Sequence, residues 1–86
     1  MLKIRKLVEG ESVVLALSGR IEDENLPHLE SLISMEAQSI VLDLKDVRLA
    51  GQEAIRFLVR CKQGGAKLIN CPAYVSDWIT AEQGAQ

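Results

Sequence analysis

Few residues in this 86-residue chain are able to do chemistry, and their spacing argues against most of it. His28 is the only histidine. As a general base or a metal ligand it needs a nucleophile or further ligands close by, and a lone histidine beside carboxylates reads as a surface residue. Cys61 and Cys71 stand at a separation that matches neither zinc-ligand nor redox spacing. They read as two reduced, mostly buried thiols, one in a helix and one at the end of a strand. Glu22, Asp23 and Glu24 are consecutive acids without the spacing of a calcium loop. A solvated acidic loop ahead of a helix start, where negative charge is favourable, accounts for them. Gly64-Gly65 follows a helical stretch, at the end where the helix dipole repels anions, so the pair reads as a cap and not as a phosphate loop. No catalytic residue, metal or cofactor is expected from this set.

Glu53 holds the most informative position. The run Ser39-Ile40-Val41-Leu42-Asp43-Leu44 is apolar and β-branched, as a buried strand requires. Lys45 to Gly51 reads as the loop that leaves it, and Gln52 to Gln63 as an amphipathic helix. In an open α/β sheet the turn from a strand's C-terminal end into a helix is where sites gather. Glu53 lies in the first turn of that helix, where complementing the helix dipole alone is worth about 0.3–1 kcal/mol.

The other elements follow from pattern. Leu2 to Val8 alternates apolar and basic residues, as a half-exposed edge strand guarded by lysines does. Glu9 to Ser12 is a hairpin turn, and Val13 to Ser18 a central strand. Gly19 to Asn25 is a loop. Asn25 then caps a helix with Pro27 in its first turn and Leu26, Leu29, Leu32 and Ile33 on one face; Met35 to Gln38 end it. Ala66 to Cys71 is a fourth strand broken by Pro72, and Ala73 to Thr80 a short helix burying Val75, Trp78 and Ile79, with a frayed tail from Ala81 to Gln86. Tyr74 and Trp78 are spaced to form a partner-binding spot, though Trp78 in the core with Tyr74 half exposed fits the pattern equally. Strands separated by helices pair in parallel while the first hairpin is antiparallel. The expectation is one α/β domain spanning residues 1–86, a four-stranded mixed sheet with about three helices packed mainly on one face.

Composition narrows the function. Apolar residues make up 48% and charged residues 26%, so the chain folds; aromatics at 3% leave an aliphatic core. The net charge of −2, with acids and bases interleaved, argues against nucleic-acid binding. No segment has the length and apolarity of a membrane span or a signal peptide, so a cytoplasmic protein is expected.

Two stretches carry a resemblance. Ile40-Val41-Leu42-Asp43-Leu44-Lys45-Asp46-Val47-Arg48-Leu49-Ala50, followed by a helix and Gly64-Gly65-Ala66-Lys67-Leu68, resembles the STAS domain, the module shared by sulphate transporters and bacterial anti-sigma-factor antagonists. Val14-Leu15-Ala16-Leu17-Ser18-Gly19-Arg20-Ile21-Glu22 resembles the family's second-strand signature, which ends in Gly-x-Leu-Asp. The likeness runs from about Val13 to Ile79. It implies a mixed sheet with helices mainly on one face. In the antagonists an Asp-Ser-Ser-Gly stretch opens the second helix, and a kinase that is also the anti-sigma factor phosphorylates its second serine. The matching stretch here is Gly51-Gln52-Glu53-Ala54: Glu53 stands at the serine, Gly51 at the aspartate, and Glu22 at the first-loop aspartate. No hydroxyl remains to be phosphorylated.

The resemblance therefore implies a non-catalytic interaction module of the bacterial cytoplasm. Its surface would be the Arg20–Asn25 loop and the Arg48–Arg56 segment, with Glu22, Asp23, Leu49, Gly51, Gln52, Glu53 and Arg56 as contacts. Glu53 is either a constitutive partial phosphomimic, one charge against about −1.5 to −2 for phosphoserine, or a direct contact on a rebuilt surface with Gln52, Arg56 and Arg60. The expected partner is a kinase-like anti-sigma factor. The alternative is the ATPase of a lipid transporter, on which small STAS proteins sit as accessory subunits. The chain ends where a last strand and helix usually follow in the family, so a sheet edge is expected to be open for self-association as a homodimer.

Overall fold

A computed structural model describes residues 2–36 and 39–84. The elements run β1 (Leu2–Glu9), β2 (Ser12–Ile21), a short 3-10 turn (Asp23–Asn25), α1 (Leu26–Ser34), β3 (Ser39–Ala50), α2 (Gln52–Gln63), β4 (Lys67–Ile69) and α3 (Ala73–Gly84). The four strands form one sheet in the order β1-β2-β3-β4. β1 and β2 pair antiparallel, and β2 with β3 and β3 with β4 pair parallel, so the sheet is mixed and β1 is an edge strand as its lysines suggested. Among the described residues no helix is long and apolar enough to cross a membrane.

Strand alternation assigns the two faces. Val13, Leu15 and Leu17 of β2 and Ile40, Leu42 and Leu44 of β3 point to one side, where they meet Leu29 of α1, Ile55 and Leu58 of α2, and Val75 and Ile79 of α3. All three helices cover this face. Leu2, Ile4 and Leu68 extend it onto the outer strands. Among the described residues no helix lies on the opposite face.

The central strands are longer than their apolar runs. β3 does not stop at Leu44 but continues through Lys45–Ala50, and β2 continues from Ser18 to Ile21 beside it. The pattern disguised this because buried residues in that stretch fall at Leu44, Val47 and Ala50, three apart instead of two. Two register shifts explain the spacing: one between Ala16 and Ser18 and one between Gly19 and Arg20, each placing an extra β3 residue in the ladder. Gly19 sits at the second with φ of 98°, a left-handed value that glycine adopts without strain.

Smaller differences have equally local causes. Asn25 does not cap α1. It closes the 3-10 turn, its Oδ1 accepting a hydrogen bond from the Glu22 backbone N–H at 2.9 Å, and α1 starts directly afterwards with Pro27 in its first turn. β4 is only three residues long, because Asn70 turns the chain at φ 53° and its amide donates to Asp43 Oδ1 at 3.2 Å. α3 runs past Thr80 to Gly84, so Ala81 to Gly84 are helical and not a frayed end. Trp78 is 37% exposed and not in the core; Val75 and Ile79 are the buried pair. Ala37, Gln38, Ala85 and Gln86, expected in a connection and in the tail, lie outside the described residues. α2 ends as its glycines imply: Gly65 adopts φ 105°, its N–H donates to the Lys62 carbonyl at 3.1 Å, and the Ala66 N–H donates to the Cys61 carbonyl at 2.9 Å.

Candidate interaction surface

The extension of β2 and β3 decides what stands at their C-terminal ends. Ile21 and Ala50 are register partners, both buried, so the chain leaves the two strands side by side. Glu22 and Gly51 are the next residues. The 3-10 turn with Asp23 and the first turn of α2 with Gln52 and Glu53 therefore rise from adjacent strands. The structure brings the two expected segments to one end of the sheet. Glu22 is half-buried, while Asp23, Gly51, Gln52, Glu53 and Arg56 are exposed. Leu49, one residue before the strand ends, is 49% exposed on the bare face, a large apolar side chain left in water.

The helix start is open by construction. Gly51 is the N-cap of α2, with φ of −80° and no side-chain cap. Its carbonyl accepts the first helical hydrogen bond, from the Ile55 N–H at 3.0 Å. Glu53 is held by a neighbour: Arg56 Nη1 lies 3.2 Å from its Oε1, one helical turn on. Arg56 Nε also lies 3.6 Å from Glu82 Oε2 of α3. The Glu53 carboxylate is thus partly neutralised, which separates it from a phosphate with its larger charge. Sequence reading missed Glu82, since the helix was expected to end at Thr80; its spacing from Val75 and Ile79, seven and three residues, is the signal that continued the face. Tyr74 is tied to the same strand end, its hydroxyl donating to the Val47 carbonyl at 3.5 Å.

The residues with intrinsic reactivity are elsewhere. His28 is exposed on α1. Burial pushes the Cys61 thiol up to about 11, against a smaller opposing pull from Arg60. Burial likewise pushes the Cys71 thiol up. Both stay protonated near neutral pH and are weak nucleophiles there. Cys61 borders a hollow of about 420 Å³ between the C-terminal ends of α1 and α2, lined also by Ile33, Ile40, Phe57 and Arg60, at the far end of the sheet from Glu53. Among the described residues no three His, Cys, Asp or Glu side chains come together as metal ligands would. What the strand ends present is a surface: exposed carboxylates, one arginine, one exposed leucine and a helix start.

No protein-family model matches this chain, and no curated protein matches its sequence.

Proposed function

We propose that the chain is a non-catalytic protein-interaction module of the anti-sigma-factor antagonist type, working in a bacterial cytoplasm. One observation carries the reading: the Ile21 and Ala50 pairing sets the Glu22–Asp23 turn beside the start of α2, so the two segments named by the STAS resemblance form one surface. Leu49 supplies exposed apolar area for a contact, and Glu22, Asp23, Gln52, Glu53 and Arg56 supply its polar rim. Gly51 leaves the helix start uncrowded, with nothing within 4 Å of where a Cβ would stand.

The partner in this reading is a kinase-like anti-sigma factor, held or released by competition at the surface. Glu53 replaces the serine that such a kinase would modify, so phosphorylation there has no acceptor. Because Arg56 pairs with Glu53, the direct-contact role is favoured over the phosphomimic one. The test is affinity capture from native cell lysate with tagged protein, wild type beside Glu53→Ser and Leu49→Asp. Recovery of an ATPase-fold anti-sigma kinase, lost with Leu49→Asp, supports the proposal. Recovery of a lipid-transporter ATPase through the same residues moves the module to transport. Absence of any ATPase-fold partner overturns both.

A further inference from the structure

The bare face of the sheet is ordered in rungs. From β1 outward, one rung is Leu7, Val14, Val41 and Lys67; the next is Arg5, Ala16, Asp43 and Ile69; the next is Lys3, Ser18 and Asp46. Lys3 and Arg5 stand on β1 and Asp43 and Asp46 on β3, with Lys45 and Arg48 flanking Asp46 and small side chains between the two strands on β2. Ala16 and Ser18 floor a shallow trough beside Lys3, Arg5 and Asp46. Strands lie about 4.8 Å apart, so the cation and acid columns are about 10 Å apart. Among the described residues, none of Lys3, Arg5, Asp43 and Asp46 forms an ion pair within the chain. Asp43 is nonetheless fixed, accepting from the Lys45 N–H at 3.0 Å and from Asn70 at 3.2 Å.

We propose that this face is the interface of a homodimer, two copies stacked sheet on sheet about a two-fold axis parallel to β2. Self-complementary stacking that keeps the strands aligned has two forms. With the axis across the strands, β1 lies on β1, and with the axis between their rungs Lys3 of one copy faces Arg5 of the other, cation on cation. With the axis along β2, β1 of one copy lies over β3 of the other with the rungs in step. Lys3 then faces Asp46, Arg5 faces Asp43, Leu7 faces Val41, and Val14 meets Val14. Symmetry makes each unlike contact twice. The strand axes are aligned, β2 running with β2 and β1 opposite in direction to the β3 it covers, as in aligned sheet packing with about 10 Å between layers. Charge chooses between the two forms, and the second also covers Leu7, which is 42% exposed. Three overlapping strands over these three rungs amount to roughly 300 Å² per copy in plan. That is below the roughly 800 Å² per partner of a standard interface, so the dimer is weak, concentration-dependent and salt-sensitive.

Sedimentation velocity over a concentration series tests this on the full chain, using wild type, Lys3→Glu, Asp46→Lys and the double variant. Wild type is expected to dimerise as concentration rises, and each single reversal to weaken the dimer roughly tenfold or more, since each turns two attractions into two repulsions. The double variant, and an equimolar mixture of the two singles, restore it, because every facing pair is again opposite in sign. Both positions are exposed and outside the core, and rescue by mixing cannot come from a merely damaged fold. A wild type that stays monomeric, a dimer indifferent to the reversals, or a loss without rescue overturns the proposal.

Discussion

The two faces of the sheet are made by the same strands and follow different rules. On the helix side, successive positions of β2 and β3 are aliphatic: Leu15 is 2% exposed, and Leu42 and Leu44 are fully buried. One residue away along β3, Val41 and Asp43 face outward and are only half-buried. The covered face is defined by apolar area, which is non-directional and sets which side folds inward. On the bare face Leu7, Val14 and Val41 share one rung, and Lys3 and Arg5 of β1 stand across β2 from Asp43 and Asp46 of β3. Charge columns contribute little to folding, but they distinguish one docking geometry from another.

Substitutions at neighbouring positions of β3 give the sharpest contrast. Leu42→Ala removes a fully buried side chain and is expected to lower stability by about 2–5 kcal/mol. Val41→Ala removes two methyl groups from the bare face and is expected to cost about 1 kcal/mol at protein concentrations low enough to keep the chain monomeric. Urea unfolding of both variants at dilute concentration makes the comparison. Equal costs would mean that the bare face belongs to the core. Next in size is Asp43→Ala, which leaves the Lys45 N–H and the Asn70 amide without their acceptor and is expected to cost about 1–2 kcal/mol. Asp43→Asn keeps one acceptor oxygen and is expected to recover most of that loss, although it removes the charge.

The covered face was legible in the sequence because it obeys a single period. Ile40, Leu42 and Leu44 announce a strand, and Ala54, Ile55, Leu58 and Cys61 announce a helix, from spacing alone. The candidate surface was legible only in part. Its two segments stand side by side in the structure, but Lys45–Ala50 reads as loop in the sequence because two bulges change the burial spacing from two to three. A bulge is a property of the pairing between strands, and neither strand's own pattern records it. The rungs of the bare face were invisible for the same reason: Arg5 and Asp43 share a row only once the register through Ala16 is known. Trp78 was misplaced because hydrophobicity marks what tends to be buried, whereas Val75 and Ile79 already fill the inner side of α3.

A smaller effect is expected at the margin of the covered face, where Cys61 titrates. Its ordinary value near 9 is raised by burial to about 11, so the folded chain favours the thiol more than the unfolded chain does. The resulting stability is fully present below about pH 9 and is lost as pH rises through about 11. Because the side chain is only half-buried, solvent reduces the size of the loss. Melting temperatures of wild type and Cys61→Ala between pH 8 and 11 should therefore converge as pH rises. A constant gap would mean that Cys61 contributes by packing alone.

The smallest effect is expected where the two strand ends present their charges. Glu53, Arg56 and Glu82 form a chain of ion pairs at 3.2 and 3.6 Å, with Arg56 and Glu53 each about half exposed. Exposed pairs of this kind contribute about 0.2–1 kcal/mol, since water screens them and ordering the side chains costs entropy. Glu53→Gln is therefore expected to shift stability by less than about 0.5 kcal/mol. Arg56→Ala, which breaks both contacts, should cost somewhat more. A double-mutant cycle between Glu53→Gln and Arg56→Ala isolates the first pair, and added salt should shrink its coupling. A coupling above about 1 kcal/mol would mark Glu53 as part of the structural frame of α2. A coupling near zero would leave Glu53 and Arg56 free to exchange each other for a partner's charges at little cost to the fold, as a contact surface requires and a core does not.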